Sequence, residues 1–197
     1  MRSSHSSFWA TLKERNILVY QFGTQLTEKS VSANAPASTA VVGVIMGSQS
    51  DWPTVKPCCD VLEQLQVRFE YGVVSAHRTP KRTSCYAENA QYRDLQVIIA
   101  CAGGSAHLPG MTASETILPV LGFGPTSKTF GPMDVVGSNI RMPAGIPLGF
   151  MGLDEAGAKN AALEAVRILA LHDTELRQRL VQYIDNQTKS VPFSAHD

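Results

Sequence analysis

The run Val41-Val42-Gly43-Val44-Ile45-Met46 carries no alternation of polar and apolar residues. A strand with one wet face alternates, whereas a strand buried on both faces does not. This run therefore demands cover on both sides, which a parallel sheet between two helix layers supplies. Further strands are expected over 67–74, 96–100, 117–121 and 146–151. Helices are expected between them. Val55, Cys59, Leu62 and Leu65 recur at helical spacing within 53–65. Residues 80–92 read as a helix with Thr79 as N-cap and Pro80 at its first position. A short helix is expected over 109–116, with Pro109 opening it. The alanine-rich stretch 154–171 and the segment 173–189, with Asp173 as N-cap, complete the set. Strands alternating with helices predict an α/β chain with a three-layer αβα architecture.

The chain has 197 residues, of which 44% are hydrophobic, enough for one domain and an additional arm. Lys+Arg and Asp+Glu both number 17, so the formal net charge is zero. A general nucleic-acid binder carries a basic excess, and none is present. No stretch approaches the roughly 18 consecutive apolar residues of a membrane helix. Cys58, Cys59, Cys85 and Cys101 form no CxxC pair and no zinc spacing, which favours a reduced, cytoplasmic setting. Cys101 lies beside a glycine turn, so a reactive thiol is one reading of it.

Residues 1–38 differ in character. Serines crowd the start, and residues 30–38 read as a linker. Ile17-Leu18-Val19-Tyr20 suits a short strand, or a segment that docks on a neighbour. The first thirteen residues hold no acid but little arginine, and the apolar core of a secretory signal is missing. A poorly ordered arm, or translation from an upstream start codon, is expected rather than a targeting signal. The organisation expected is an arm over 1–38, a catalytic domain with C-terminal helices over 39–190, and a tail over 191–197.

In parallel sheets, ligands sit beyond the carboxyl ends of the strands. Three polar, glycine-bearing turns should therefore converge. The first is Gly47-Ser48-Gln49-Ser50-Asp51. Its unpaired N–H groups and hydroxyls suit a phosphate, and Asp51 suits a ribose hydroxyl pair. Capping by Ser50 or Asp51 explains the same residues. It is neither a dinucleotide GxGxxG nor a P-loop. The second is Ser75-Ala76-His77-Arg78-Thr79-Pro80. Histidine moves protons near neutral pH, and arginine grips phosphate through a planar fork. The third is Gly103-Gly104-Ser105-Ala106-His107-Leu108, where glycine lets the backbone approach a ligand. His107 suits either a direct role or a bond to a carbonyl at a helix start. His172 reads as structural. Met142–Pro147 forms a stiff turn before a strand, while Lys128, Asp134 and Arg141 read as loop charges.

Taken together, these segments resemble the N5-carboxyaminoimidazole ribonucleotide mutase family of purine biosynthesis (PurE, class I, the phosphoribosylaminoimidazole carboxylase catalytic subunit). The matching pieces are Val44–Trp52, Val74–Pro80 and Ala102–Met111, supported by Pro119–Gly122, Met142–Pro147 and Ala158–Ala162. The resemblance covers about 40–190, in order. It implies a flavodoxin-like parallel sheet and a homo-octamer with sites at subunit contacts. It implies migration of a carboxylate from an exocyclic nitrogen to carbon 4 of a ribonucleotide, without metal, nucleotide or other cofactor. It also implies a functional partner, the ATP-dependent enzyme that makes the carbamate.

Carried over by position, Ser50 and Arg78 would hold the phosphate and Asp51 the ribose. Ser48, with backbone around Ala76 and Gly103, would line the carboxylate pocket, bordered by His107. Ser75, Ser105 and Leu108 belong to the same substrate-binding set. His77 would be the catalytic proton shuttle. Two features depart from the pattern: Cys101 replaces a small glycine, and residues 126–141, read as a loop with Arg141 before Met-Pro, follow it only loosely. Two further readings stand beside this one. A carboxylase taking carbon dioxide directly shares fold and product, but it typically has lysine where Arg78 stands. A non-catalytic flavodoxin-like binding protein would need a flavin, and the turns offer no obvious aromatic pair to sandwich one.

Overall fold

The computed structural model describes residues 18–19, 40–126 and 131–194. The described strands are β1 Leu18–Val19, β2 Val42–Met46, β3 Phe69–Val73, β4 Val97–Cys101, β5 Val120–Gly124 and β6 Gly149–Leu153. They form one sheet in the order β1-β3-β2-β4-β5-β6, and every neighbouring pair is parallel. Leaving β1 aside, this is the flavodoxin-like order, with its switch point between β2 and β4. The helices are α1 Trp52–Gln64, α2 Pro80–Asn89, α3 His107–Ser114, α4 Met133–Ile140, α5 Asp154–Leu169 and α6 Thr174–Ser190. None of them is long and apolar enough to cross a membrane.

Side chains of successive strand residues leave opposite faces. Val42, Val44 and Met46 join Val97, Ile99, Leu121 and Phe123 in a core covered by α1, α5 and α6. Ile45, Ile98, Ala100 and Val120 enter a second core with Tyr86, Leu108 and Val135, under α2, α3 and α4. The helices change face where strand order reverses, from β3 back across β2 to β4. Right-handed crossovers require that change. Burial of one side chain such as Phe123 (0% exposed) stabilises by about 1.5–3 kcal/mol. Exposed ion pairs such as Lys56–Asp60 contribute little, because solvent screens them. The two apolar layers therefore hold the fold.

Close packing needs glycine at several places, among them Gly43 and Gly124. A Cβ on Gly43 would stand 2.1 Å from the Tyr86 hydroxyl. A Cβ on Gly124 would stand 2.0 Å from the Ala102 carbonyl oxygen. Tyr86 in turn lies under the Arg93 guanidinium, 4.7 Å from its ring centroid, and Arg93 donates to buried Glu70.

The expected αβα sheet is present, with several local differences. The strand expected over 117–121 occupies Val120–Gly124. Pro119 lacks an N–H for the ladder and pairs only through its carbonyl, which accepts from the Ile98 N–H at 2.9 Å. The strand expected over 146–151 starts only at Gly149, beyond Pro147. The third helix begins at His107 rather than Pro109, because Ala106 adopts a left-handed φ of 43° at its N-cap. Residues 133–140 are helical, not loop: Val135 and Asn139, one turn apart, are both buried. Thr79 takes the N-cap place, yet its hydroxyl donates to the Ser75 carbonyl and accepts from the Ser75 N–H. Asp173 caps as expected, accepting from the Leu176 N–H at 2.9 Å. Leu18 and Val19 form the expected short strand, opposite Glu70 and Tyr71. The poorly ordered arm expected over the rest of 1–38 lies outside the described residues, as do residues 195–197 of the tail.

Gly124→Ala should cost about 1–3 kcal/mol, because the neighbour that must move is backbone. Equilibrium denaturation measures it, and an unchanged midpoint would contradict the packing described.

Candidate active site

The turns after β2, β3 and β4 meet at the carboxyl edge of the sheet and enclose a cleft of about 520 Å³. Lining it are Gly47, Ser48 and Asp51 from the first turn, and Ser75, Ala76, His77 and Arg78 from the second. The third turn adds Ala102, Gly103, Gly104, Ala106, His107 and Leu108. Convergence follows from topology: β2 pairs with both β3 and β4, so its turn lies between theirs.

The first turn is a capping box. Ser48 Oγ accepts from the Ser50 N–H at 3.3 Å, and Asp51 Oδ2 accepts from the Ser48 N–H at 2.9 Å. Capping is therefore real, with Ser48 rather than Ser50 as the cap. Burial raises the Asp51 pKa above the usual carboxylate value, while the Ser48 N–H, the Arg78 charge and the Gly47 N–H pull it down.

Arg78 ties the first turn to the second. Its Nη2 donates to the Gly47 carbonyl at 3.0 Å, and its Nε donates to Ser75 Oγ at 3.2 Å. This aligns the guanidinium across the cleft, close to the Gln49–Asp51 helical turn. His77 and His107 meet from opposite turns. His77 Nε2 and His107 Nδ1 stand 2.8 Å apart, with ring planes at 90°. One of these nitrogens carries the proton and the other accepts it. His77 Nδ1 and His107 Nε2 are left for a ligand. The third turn is bent by two left-handed residues, Gly104 at φ 60° and Ala106 at φ 43°. A non-glycine residue in that region is strained, and such strain gathers at functional sites.

Two of the residues singled out from sequence do not line the cleft. Ser50 is exposed, and its hydroxyl donates to Ser48 Oγ at 2.9 Å. Ser105 sits exposed in the third turn. Sequence reasoning missed the backbone walls at Ala102 and Ala106, and it missed the His77–His107 contact. The alternative of a reactive Cys101 thiol is not supported: Cys101 is 0% exposed, and burial pushes its pKa well above the ordinary value. Asp51 and Asp154 push in the same direction. His172 is exposed at the α5–α6 junction, away from the cleft.

A family model described as AIR carboxylase matches residues 41–190. The chain belongs to the AIR carboxylase family. Among its relatives, the N5-carboxyaminoimidazole ribonucleotide mutase of Vibrio cholerae is 49% identical, over 76% of this chain and 93% of that protein. The same-named protein of Bacillus subtilis is 48% identical, over 77% of this chain and 93% of its own length. A crystal structure of Treponema denticola PurE superposes with a TM-score of 0.69 at 28% identity, covering 75% of this chain and 91% of the other. All three cleft turns, and α4 with its atypical sequence, fall inside the family match.

A carboxyl whose folded pKa is raised favours the fold while protonated, and that contribution is lost as pH rises through the folded pKa. Ionised Asp51 thus weighs against stability at neutral pH. Asp51→Asn should hold or raise the denaturation midpoint at neutral pH, with the difference shrinking below about pH 4. A midpoint clearly lower at neutral pH would show that Asp51 instead stabilises the fold when charged.

Proposed function

We propose that this chain is an N5-carboxyaminoimidazole ribonucleotide mutase, giving 4-carboxy-5-aminoimidazole ribonucleotide in purine biosynthesis. The observation that carries the mechanism is the 2.8 Å contact of His77 Nε2 with His107 Nδ1, in a cleft that also holds Arg78. The catalytic unit is residues 39–190. Arg78 binds the phosphate, joined by Ser50 only from the exposed rim of the first turn, and Asp51 accepts from the ribose hydroxyls. Ser48, with backbone at Ala76 and Gly103, lines the pocket for the migrating carboxylate, and Ser75 and Leu108 complete the substrate-binding wall. His107 borders the imidazole.

The chemistry proceeds in three moves. A carbamate is labile once its nitrogen is protonated. His77 in its imidazolium form gives that proton, the N–C bond breaks, and carbon dioxide departs with the exocyclic amine restored. Carbon 4 of the electron-rich ring then attacks the trapped carbon dioxide. Neutral His77 takes the carbon 4 proton, which restores aromaticity and recharges the imidazolium. One side chain serves as acid and then base, so it ends the cycle in the form in which it began. Retaining the carbon dioxide beside the ring turns a bimolecular recapture into an intramolecular one. His107 orients His77 through the shared hydrogen bond.

In this single chain His77, Arg78 and His107 are all exposed. A trapped neutral gas needs a closed site, so the proposal includes a homo-octamer whose neighbouring subunits cover the cleft. It includes a cytoplasmic setting and supply of the carbamate by an ATP-dependent partner enzyme.

Product formation from the carbamate substrate, with no added bicarbonate, tests the reading. Formation from 5-aminoimidazole ribonucleotide and bicarbonate alone would instead mark a direct carboxylase. His77→Asn should abolish turnover and leave substrate affinity nearly intact; near-normal turnover would remove His77 from the mechanism. Arg78→Ala should weaken substrate binding by about 1.5–3 kcal/mol, as for a lost charged hydrogen bond, read by calorimetric titration.

A further inference from the structure

Asp154 stands at the junction of β6 and α5 with a left-handed φ of 52°. A non-glycine side chain there is held against a steric cost, and something must offset it. Its carboxylate makes two short contacts to one residue. Oδ1 accepts from the Thr126 N–H at 2.7 Å, and Oδ2 accepts from the Thr126 hydroxyl at 2.5 Å. Thr126 follows the end of β5, twenty-eight residues away in sequence. The clip thus joins the carboxyl ends of two neighbouring strands.

What Thr126 holds is the back of the cleft. Pro125, its neighbour, packs on the third turn: a Cβ on Gly103 would lie 3.0 Å from the Pro125 ring. Gly124 lies against the Ala102 carbonyl, and the Ala102 N–H donates to the Phe123 carbonyl at 3.1 Å. The turn itself closes through the Ala106 N–H onto the Gly103 carbonyl at 3.2 Å. A continuous line of contacts therefore runs from Asp154 through Thr126 and Pro125 to Gly103, and on to the turn that carries His107. Asp154 itself does not line the cleft.

We propose that Asp154 is a positioning residue: it clamps the Pro125–Thr126 segment behind Gly103 and so fixes the turn that carries His107. Its role in turnover rests on the mutase reading above. The groups assigned to phosphate and ribose come from the other two turns, so loss of the clamp acts on the carbon dioxide step and spares nucleotide binding.

The test uses Asp154→Gly and Asp154→Asn in the full-length protein. Glycine removes the carboxylate and also the left-handed strain, so its thermal midpoint should equal or exceed the parent's. Asparagine tolerates the same backbone and keeps one acceptor oxygen. Hydrogen exchange at the Ala102 and Ala106 amides should accelerate about tenfold or more in Asp154→Gly and less in Asp154→Asn. Turnover of the carbamate substrate should show kcat several-fold lower and KM within about twofold of the parent. Part of the substrate should be lost as 5-aminoimidazole ribonucleotide and free carbon dioxide. Asp154→Asn should recover part of kcat and of the coupling. Unchanged exchange in Asp154→Gly overturns the clamp, whatever the activity. Faster exchange with unchanged kcat and full coupling overturns its role in the reaction. A parent that makes no product refutes the mutase reading, while the exchange result still decides the clamp.

Discussion

Parallel pairing of Val42–Met46 with strands on both sides is the contact on which the rest depends. It sets five residues between Phe69–Val73 and Val97–Cys101, and the strands leave the sheet in the same direction. Polar turns that would otherwise be scattered then become neighbours. The same pairing buries β2 on both faces, so its side chains must be apolar and closely packed. Polar chemistry is thereby excluded from β2 and gathered in the turns, where backbone N–H and C=O groups are free to bind.

The polar side chains of the cleft hold one another in place. Ser48, Asp51, Ser75 and Arg78 are already engaged with one another or with backbone, which fixes their direction. Groups fixed in this way lose little further freedom on binding. The histidines follow the same logic: a perpendicular pair sharing one hydrogen bond has few alternative arrangements. Strain is held in the third turn at Ala106 and behind it at Asp154. In both cases hydrogen bonds nearby oppose relaxation, from the Ala106 N–H to Gly103 and from Thr126 to Asp154.

Much of this arrangement was legible in the residues. Unalternating Val41–Met46 announced a doubly covered strand, and the three turns carried most of the cleft's polar side chains. What escaped detection depends on contacts between distant segments. His77 and His107 are thirty residues apart, and no spacing rule reveals that their rings touch. The helix Met133–Ile140 was obscured because Gly137 and Asn139 are poor helix formers, and burial of Val135 overrides that preference. Ala106 offered no signal at all, since alanine seldom adopts a positive φ and does so here only under tertiary constraint. Ser50 and Ser105 share composition with the lining residues but lie outside it; composition locates a turn, not which of its side chains face inward.

The pairing of Leu18–Val19 with Glu70 and Tyr71 bears on how copies of this chain avoid sticking together. A bare strand at the margin of a sheet is a template for aggregation, and proteins blunt it by covering it or by placing an inward charge beneath it. β3 has both protections: a two-residue cover, and Glu70, 1% exposed and bonded to Arg93. The margin at β6 has no strand beyond it among the described residues, and there Gly149 and Gly152 interrupt the strand while a register shift distorts its pairing. The two margins of one sheet are thus guarded by unlike means, a borrowed strand with a buried charge on one side and irregularity on the other.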